Sequence, residues 1–117
     1  MKNSSSPQVP LYRAKAEFFR TLGHPARIRI LELLCERPHA VHELLAAIVI
    51  EPSNLSQQLA VLRRSNLVVQ EREGGEVTYS IAHPEVLDLL MAARQLLVAT
   101  GAVTPAQARG SRRPASR

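Results

Sequence analysis

The sequence predicts a mainly α-helical fold with about five helices and one small β-hairpin, which forms a two-stranded wing. Apolar residues recur at helical spacing within 10–65 and again within 83–100. Around the glycine pair 74–75 the spacing changes to alternation, as in a hairpin. The helix just before that hairpin, over 52–65, carries one apolar stripe and one polar face. A polar-faced helix leading directly into a hairpin is the layout of a winged helix-turn-helix.

Length and composition favour one small folded domain. The chain has 117 residues, of which 45% are apolar, too many for a disordered chain. The hydrophobic core of so small a domain gives only marginal stability to a monomer, which favours a dimer. No apolar run is long enough to span a membrane, and Met1 to Ser4 show no signal-peptide pattern. The single cysteine, Cys35, excludes an intrachain disulfide and fits a reducing cytoplasm, where we expect the protein to reside.

The net charge of +5 comes from the ends of the chain. Residues 11–101 contain ten Lys or Arg and ten Asp or Glu, so this part is formally neutral. The excess lies at Lys2 and at four arginines beyond residue 101. Global charge is therefore weak support for nucleic-acid binding, and any basic footprint must be a local patch.

Three segments follow from composition. Residues 1–9 and 102–117 are rich in Ser, Pro, Ala, Gly and Arg, which predicts a flexible N-terminal tail and a flexible basic C-terminal tail. Residues 10–101 form the folded domain between them, without an internal repeat.

The first two helices are bounded by glycine and proline. The first is predicted over about 10–22, with Gly23 as its stop. The second begins at Pro25, is heavily apolar, and ends at Pro38.

A short third helix over 42–48 is predicted after an extended entry at 39–41. The fourth begins at Pro52, which suits a first helical position because its missing N–H would have been unpaired anyway. Its apolar stripe is Leu55, Leu59 and Leu62, and its polar face holds Ser53, Asn54, Ser56, Gln57, Ala60 and Arg64. Such short neutral donors and acceptors can reach base edges, although an ordinary solvated face has the same composition.

The hairpin and the last helix complete the domain. Asn66 can adopt the left-handed conformation that ends the fourth helix. Strands at 67–73 and 76–81 flank Gly74-Gly75, a pair suited to a type I′ turn. The last helix begins at 83–84 and reaches about Thr100. It is too apolar for a monomer surface, so we expect it to pack against its own domain and a second subunit.

Three stretches resemble the ArsR/SmtB family of bacterial winged-helix repressors. They are 19–31 (FRTLGHPARIRIL), 55–68 (LSQQLAVLRRSNLV) and the hairpin end 77–81 (VTYSI), in one ordered series across about 11–100. The resemblance implies a homodimer paired through the first and last helices and bound to double-stranded operator DNA until a signal arrives. The implied dimer-interface residues are Leu11, Phe18, Val86, Leu90, Ala93 and Leu97.

The resemblance also identifies candidate DNA contacts. The base-reading positions fall on Ser53, Asn54, Ser56 and Gln57, where the start of a helix can enter the major groove. Two turns on, Arg63 and Arg64 are candidates to pair phosphates, and Arg63 could equally be a solvated cover over the hairpin. Gln58 takes a position that is often histidine in the family. Its role is open between a base contact and a buried hydrogen bond.

The wing departs from the family's usual basic composition. It holds Glu71, Glu73 and Glu76 against Arg72 alone. Carboxylates beside a duplex would repel it unless they point away. We expect Arg72 to make a weak phosphate contact.

The family's usual metal sites lack their ligands here. A Cys-X-Cys site would fall on Ala40 and His42, and the second half of an acid/His site that begins at His83 and Glu85 would fall on Leu96 and Ala99. Methyl and isobutyl groups cannot bind a cation. We therefore predict no metal and no cofactor, with an effector small molecule or a partner protein as the signal.

A weaker alternative is a Ni- or Zn-responsive site built on His39 and His42, which would need further ligands. His24 is predicted to cap a helix, and Cys35 to be a small buried apolar residue.

Other functions have less support. The sequence shows neither a glycine-rich phosphate loop nor a nucleophile paired with a base, so an enzyme has little support. The few aromatic residues give no stacking platform for single-stranded nucleic acid. A winged-helix module that binds protein remains the alternative, because the domain is neutral and its wing acidic.

Overall fold

The computed structural model describes residues 8–110. This part of the chain forms six helices and three strands, which confirms the predicted fold class with one helix and one strand added. The elements are α1 (Leu11–Leu22), α2 (Pro25–Glu36), β1 (His39–Ala40), α3 (Val41–Ala47), α4 (Pro52–Arg64), β2 (Val68–Glu73), β3 (Glu76–Ile81), α5 (Glu85–Ala99) and α6 (Pro105–Gly110).

The sheet is antiparallel and has the order β1-β3-β2. Strands β2 and β3 pair from Val68 with Ile81 to Glu73 with Glu76. The turn between them places Gly74 at φ 58° and Gly75 at φ 83°, positive values that glycine adopts without steric cost. The predicted hairpin is therefore present, with β1 as an additional strand on its other side.

Helix α2 lies at the centre of the core. Its Ile30 and Leu31 are fully buried, as are Leu44 of α3 and Leu55 and Leu62 of α4. Burying the apolar stripe of α4 in this way fixes the helix on the domain and turns its opposite face outward.

Helix ends follow local capping chemistry. The Nδ1 atom of His24 accepts a hydrogen bond from the Ala26 N–H at 3.2 Å, as predicted for a capping residue. Asn66 has φ 62°, the predicted left-handed conformation after α4. Gly23 follows the end of α1 but has φ −79°, so that helix ends without a left-handed turn.

One prediction about the C-terminal end of the domain needs correction. Residues 102–110 were predicted to belong to a flexible tail, but α6 begins at Pro105. A reciprocal cap starts it: the Thr104 N–H donates to Gln107 Oε1 at 2.8 Å and the Gln107 N–H to Thr104 Oγ1 at 3.0 Å. The tails predicted at 1–7 and 111–117 lie outside the described residues.

Val86 was predicted to lie in the dimer interface, but it is only 5% exposed and belongs to the core cluster of its own domain. It sits in the first turn of α5, where the helix still faces its own domain. Among the helices of residues 8–110, none combines the length and apolar character needed to cross a membrane.

Candidate nucleic-acid interface

Helix α4 exposes a continuous polar face. Ser53, Ser56 and Gln57 are exposed, and Asn54 is half-buried. On the opposite side Leu55 and Leu62 are fully buried, so the helix cannot roll about its axis without losing the core. The four predicted base-reading residues therefore share one accessible face near the start of the helix.

The start of α4 presents unpaired backbone donors. Pro52 is the first helical residue, and within the described part of the chain no side chain caps the helix at Glu51. The N–H groups of the first turn point along the helix axis and favour negative charge. This end of α4 can accept a phosphate, although the exposed carboxylate of Glu51 lies beside it.

Gln58 is buried, with 7% of its surface exposed. Its Oε1 accepts a hydrogen bond from Arg27 Nε at 2.8 Å, and its Nε2 donates to Asn54 Oδ1 at 2.8 Å. The sequence left its role open between a base contact and a buried hydrogen bond. The structure assigns the buried hydrogen bond, which joins α2 to α4.

The end of α4 is the basic part of the surface. Arg63 and Arg64 are both exposed and border a shallow depression together with Ala60. Within residues 8–110 neither guanidinium forms a salt bridge, so both remain available to phosphate.

The wing is exposed and acidic. Glu71, Arg72 and Glu73 are all accessible on β2. Glu76 is turned toward α3, where its Oε2 lies 3.0 Å from Nε2 of His42. One of the three carboxylates is thus occupied by a histidine, and the other two stand beside Arg72.

The predicted dimer residues fall on a surface that is apolar and open. Leu11 is 69% exposed and Leu97 46%. Phe18 and Leu90 are half-buried against the core, and Ala93 is exposed. A groove of about 660 Å³ lies between the end of α1, α2 and α5, lined by Phe19, Leu22, Gly23, His24, Pro25, Ile28, Arg29, Glu32, Leu89, Leu90 and Ala93.

The two histidines of the weak metal candidate have different environments. His39 is buried, and its Nδ1 lies 2.8 Å from the Arg37 carbonyl oxygen, so that nitrogen carries the proton. His42 is exposed and engages Glu76. Residues 8–110 contain no cluster of three or more His, Cys, Asp or Glu side chains able to hold a metal ion. In this part of the chain, His39 and His42 therefore lack the further ligands that a metal site built on them would need.

Cys35 is half-buried on α2, less enclosed than the sequence suggested. Burial raises the pKa of its thiol, and the nearby carboxylates of Glu32 and Glu36 raise it further. The thiol is thus kept protonated at neutral pH, which makes it a poor nucleophile.

A helix-turn-helix joined to an antiparallel hairpin, with a polar face on its second helix, defines a winged-helix DNA-binding regulator. Residues 24–69 match the arsR family of bacterial regulatory proteins. A regulator of Mycobacterium tuberculosis, the uncharacterized HTH-type transcriptional regulator Rv0081, is 60% identical over 89 residues, which are 75% of this chain and 78% of that protein. The chain therefore belongs to the ArsR family of DNA-binding transcriptional regulators.

Solved structures agree with this assignment. The crystal structure of Rv0081 matches with a TM-score of 0.74 and 55% identity, covering 81% of this chain and 96% of that chain. The transcriptional repressor BigR from Xylella fastidiosa matches with a TM-score of 0.65 and 31% identity, over 76% and 88% of the two chains. The homodimeric winged helix-turn-helix domain of Mb0332 from Mycobacterium bovis matches with a TM-score of 0.67 and 27% identity, over 82% and 89%.

Proposed function

We propose that the protein is a homodimeric repressor that binds double-stranded operator DNA through α4. The observation that carries this proposal is the pairing of two faces on α4: an apolar face locked into the core and an accessible face of short polar side chains. Ser53, Asn54, Ser56 and Gln57 would read base edges in the major groove. Arg63, Arg64 and Arg72 would contact phosphates.

Dimerisation is supported by the open apolar surface of α1 and α5. Leu11, Leu96 and Leu97 are 69%, 64% and 46% exposed, which is unusual for a monomer this small. The Mb0332 domain, which has the same fold, is homodimeric. Pairing through these helices would place the two copies of α4 about one helical turn of DNA apart, roughly 34–36 Å.

Repression is supported by relatives such as BigR, which is named a transcriptional repressor. The protein would act in the cytoplasm, where the DNA of a bacterium lies.

The test of DNA binding is selection of duplexes from a random pool, followed by titration at two salt concentrations. A repressor of this kind should select a two-fold symmetric site and lose affinity steeply as salt rises. Equal binding to all duplexes, or no salt dependence, would contradict the proposal and favour a protein-binding module.

The signal is proposed to be an effector small molecule or a partner protein, because Ala40, Leu96 and Ala99 occupy the positions where the family's metal ligands would stand. Calorimetric titration of the reduced dimer with Zn, Cd and As(III) should show no sub-micromolar binding and no release from DNA. Tight binding lost with His39→Ala and His42→Ala would instead identify the histidine site. Tight binding that survives both substitutions would place the metal elsewhere.

A further inference from the structure

Three side chains form a hydrogen-bonded relay from α2 into the polar face of α4. Arg27 Nε donates to Gln58 Oε1 at 2.8 Å, and Gln58 Nε2 donates to Asn54 Oδ1 at 2.8 Å. Arg27 also donates through Nη1 to the carbonyl oxygen of Thr21 at 2.9 Å. The guanidinium is therefore held at two points, and the relay ends on a residue of the proposed DNA surface.

The direction of this relay is fixed by the chemistry of its first member. A guanidinium has only donors, whereas a carboxamide has a donor end and an acceptor end. Arg27 must therefore meet the oxygen of Gln58, which turns the Gln58 nitrogen toward Asn54. That nitrogen in turn requires the oxygen of Asn54.

The last step leaves Asn54 with one unpaired end. Its Oδ1 is engaged by Gln58, and in residues 8–110 no hydrogen bond is formed by its Nδ2. Bidentate recognition of adenine by asparagine needs the oxygen and the nitrogen together on one base. Gln58 takes one of the two lone pairs of the Asn54 oxygen, whereas both N–H groups of Asn54 are unpaired among the described residues, so the main capacity left for a base is that of an N–H donor.

We propose that Arg27 is a positioning residue that sets the direction of the relay through Gln58, so that Asn54 presents an N–H donor to the duplex and selects guanine over adenine. Guanine presents two acceptors, N7 and O6, in the major groove, whereas adenine presents one acceptor beside a donor. This inference rests on the proposed function, since it takes Asn54 to face DNA.

The first experiment tests the relay without DNA, by measuring exchange of side-chain amide protons in the free dimer. In the wild type, the Gln58 amide should be protected and the Asn54 amide should exchange at the rate of an exposed group. In Gln58→Glu the carboxylate can pair with Arg27 but can only accept from Asn54. The Asn54 amide should then turn and become protected, with exchange slowed on the order of tenfold. Fast exchange of the Asn54 amide in this variant would overturn the relay.

The second experiment repeats the selection from random duplexes with Gln58→Glu. A turned Asn54 presents its oxygen, so one position in each half-site should change from guanine to a base that offers a donor, cytosine or adenine. The expected change in preference is about fivefold to tenfold. Unchanged preference at every position, in a variant that melts like the wild type, would overturn the inference.

A matched pair of arginine variants separates positioning from charge. Arg27→Met should broaden the preference at the same base position, because Gln58 is then free to turn. Arg29→Met removes the same charge from the same helix, but its guanidinium pairs with Glu32 at 3.0 Å. It should leave that position unchanged, and equal broadening in both variants would contradict a role for the relay.

Failure of the inference and failure of the proposed function give different results. If the wild type selects no duplex at all, the proposed function fails, and with it the choice of guanine. The exchange measurement still decides whether Gln58 orients the Asn54 amide. If the wild type selects a site but Gln58→Glu selects the same one, the proposed function stands and the inference fails.

Discussion

Helices α4 and α5 both expose a large part of their surface, but with opposite chemistry. The exposed face of α4 is made of serine, glutamine and arginine side chains, whereas α5 exposes Leu87, Met91, Leu96 and Leu97. Only Val86 of α5 is buried, while α4 buries three leucines. Helix α4 is thus firmly anchored on its own domain and exposes a surface suited to a polar partner. Helix α5 is more loosely anchored and exposes a surface suited to an apolar partner.

This contrast supports the proposal that the two contacts of the protein are made by different helices. A groove in duplex DNA offers hydrogen-bonding edges and phosphates, which match α4. A second protein chain offers apolar side chains, which match α5. Changes in α5 should therefore alter assembly first and DNA binding as a consequence, whereas changes in α4 should alter DNA binding alone.

The largest effect is expected from placing charge on α5. Replacing Leu96 and Leu97 by Glu should give a folded monomer, because both side chains are exposed, whereas Leu90 packs against the core. Loss of the second half-site contact should weaken operator binding by about 10²–10⁴-fold. Light scattering and anisotropy titrations measure the two effects.

Val49→Glu is a control for the placement of a carboxylate on an exposed apolar residue elsewhere, since Val49 is fully exposed but lies between α3 and α4. It should remain dimeric. A double variant of α5 that stays dimeric and binds the operator normally would remove the distinction between the two helices.

A smaller effect is expected from the N-terminal half of the α4 polar face. Gln57→Ala should relax base preference at one position of each half-site by about 1–3 kcal/mol, because an exposed carboxamide is lost there. Dimerisation and melting temperature should not change. Sequencing of selected duplexes measures the preference, and an unaltered consensus would exclude Gln57 from base reading.

The C-terminal end of the same polar face of α4 should contribute affinity for DNA without sequence specificity. Arg64→Ala should weaken the binding free energy for all duplexes by about 1 kcal/mol. It should also reduce the slope of log affinity against log salt concentration by roughly one unit for each copy of the chain. Arg63→Ala is the informative comparison, since both arginines are exposed on the last turn. Equal loss in both would show that both contact phosphate, and a loss confined to Arg63 would reverse our assignment.

The smallest effect is expected from the wing. Neutralising Glu71 and Glu73 to Gln should raise DNA affinity at low salt by a few tenths of a kcal/mol, because repulsion between exposed charges is weak. Changing Glu85 and Asp88 of α5 to amides alters net charge equally. Anisotropy titrations should show a smaller gain for this pair, and an equal gain would mean that total charge, not the wing, is responsible.

Most of the fold could be predicted because its elements have periodic patterns and clear ends. The spacing of Leu55, Leu59 and Leu62 and the glycine pair of the wing were sufficient for α4 and the hairpin. Strand β1 has only two residues, too few to show a period. Helix α6 was missed although Thr104 and Gln107 form a recognisable capping box, because the Ser-, Pro-, Ala-, Gly- and Arg-rich composition of 102–117 suggested a flexible tail.

The candidate site was predictable in part for a similar reason. Which residues share a face of one helix follows from helical spacing, so the polar face of α4 could be drawn from the sequence. The hydrogen bond between Arg27 and Gln58 joins residues 31 positions apart, and no local pattern reports such a contact. Val86 was misplaced because its stripe also holds Leu90, and spacing does not reveal where along α5 the core ends.

The relay that ends on Asn54 passes through a carboxamide at position 58. A carboxamide has no charged form, so its donor end and its acceptor end do not depend on pH. A histidine at position 58 could gain a proton as its surroundings became more acidic, and its donors and acceptors would change with it. With glutamine there, base preference at the Asn54 position should be the same at pH 6 and pH 8. The glutamine at position 58 therefore separates base reading at this one position from changes in acidity.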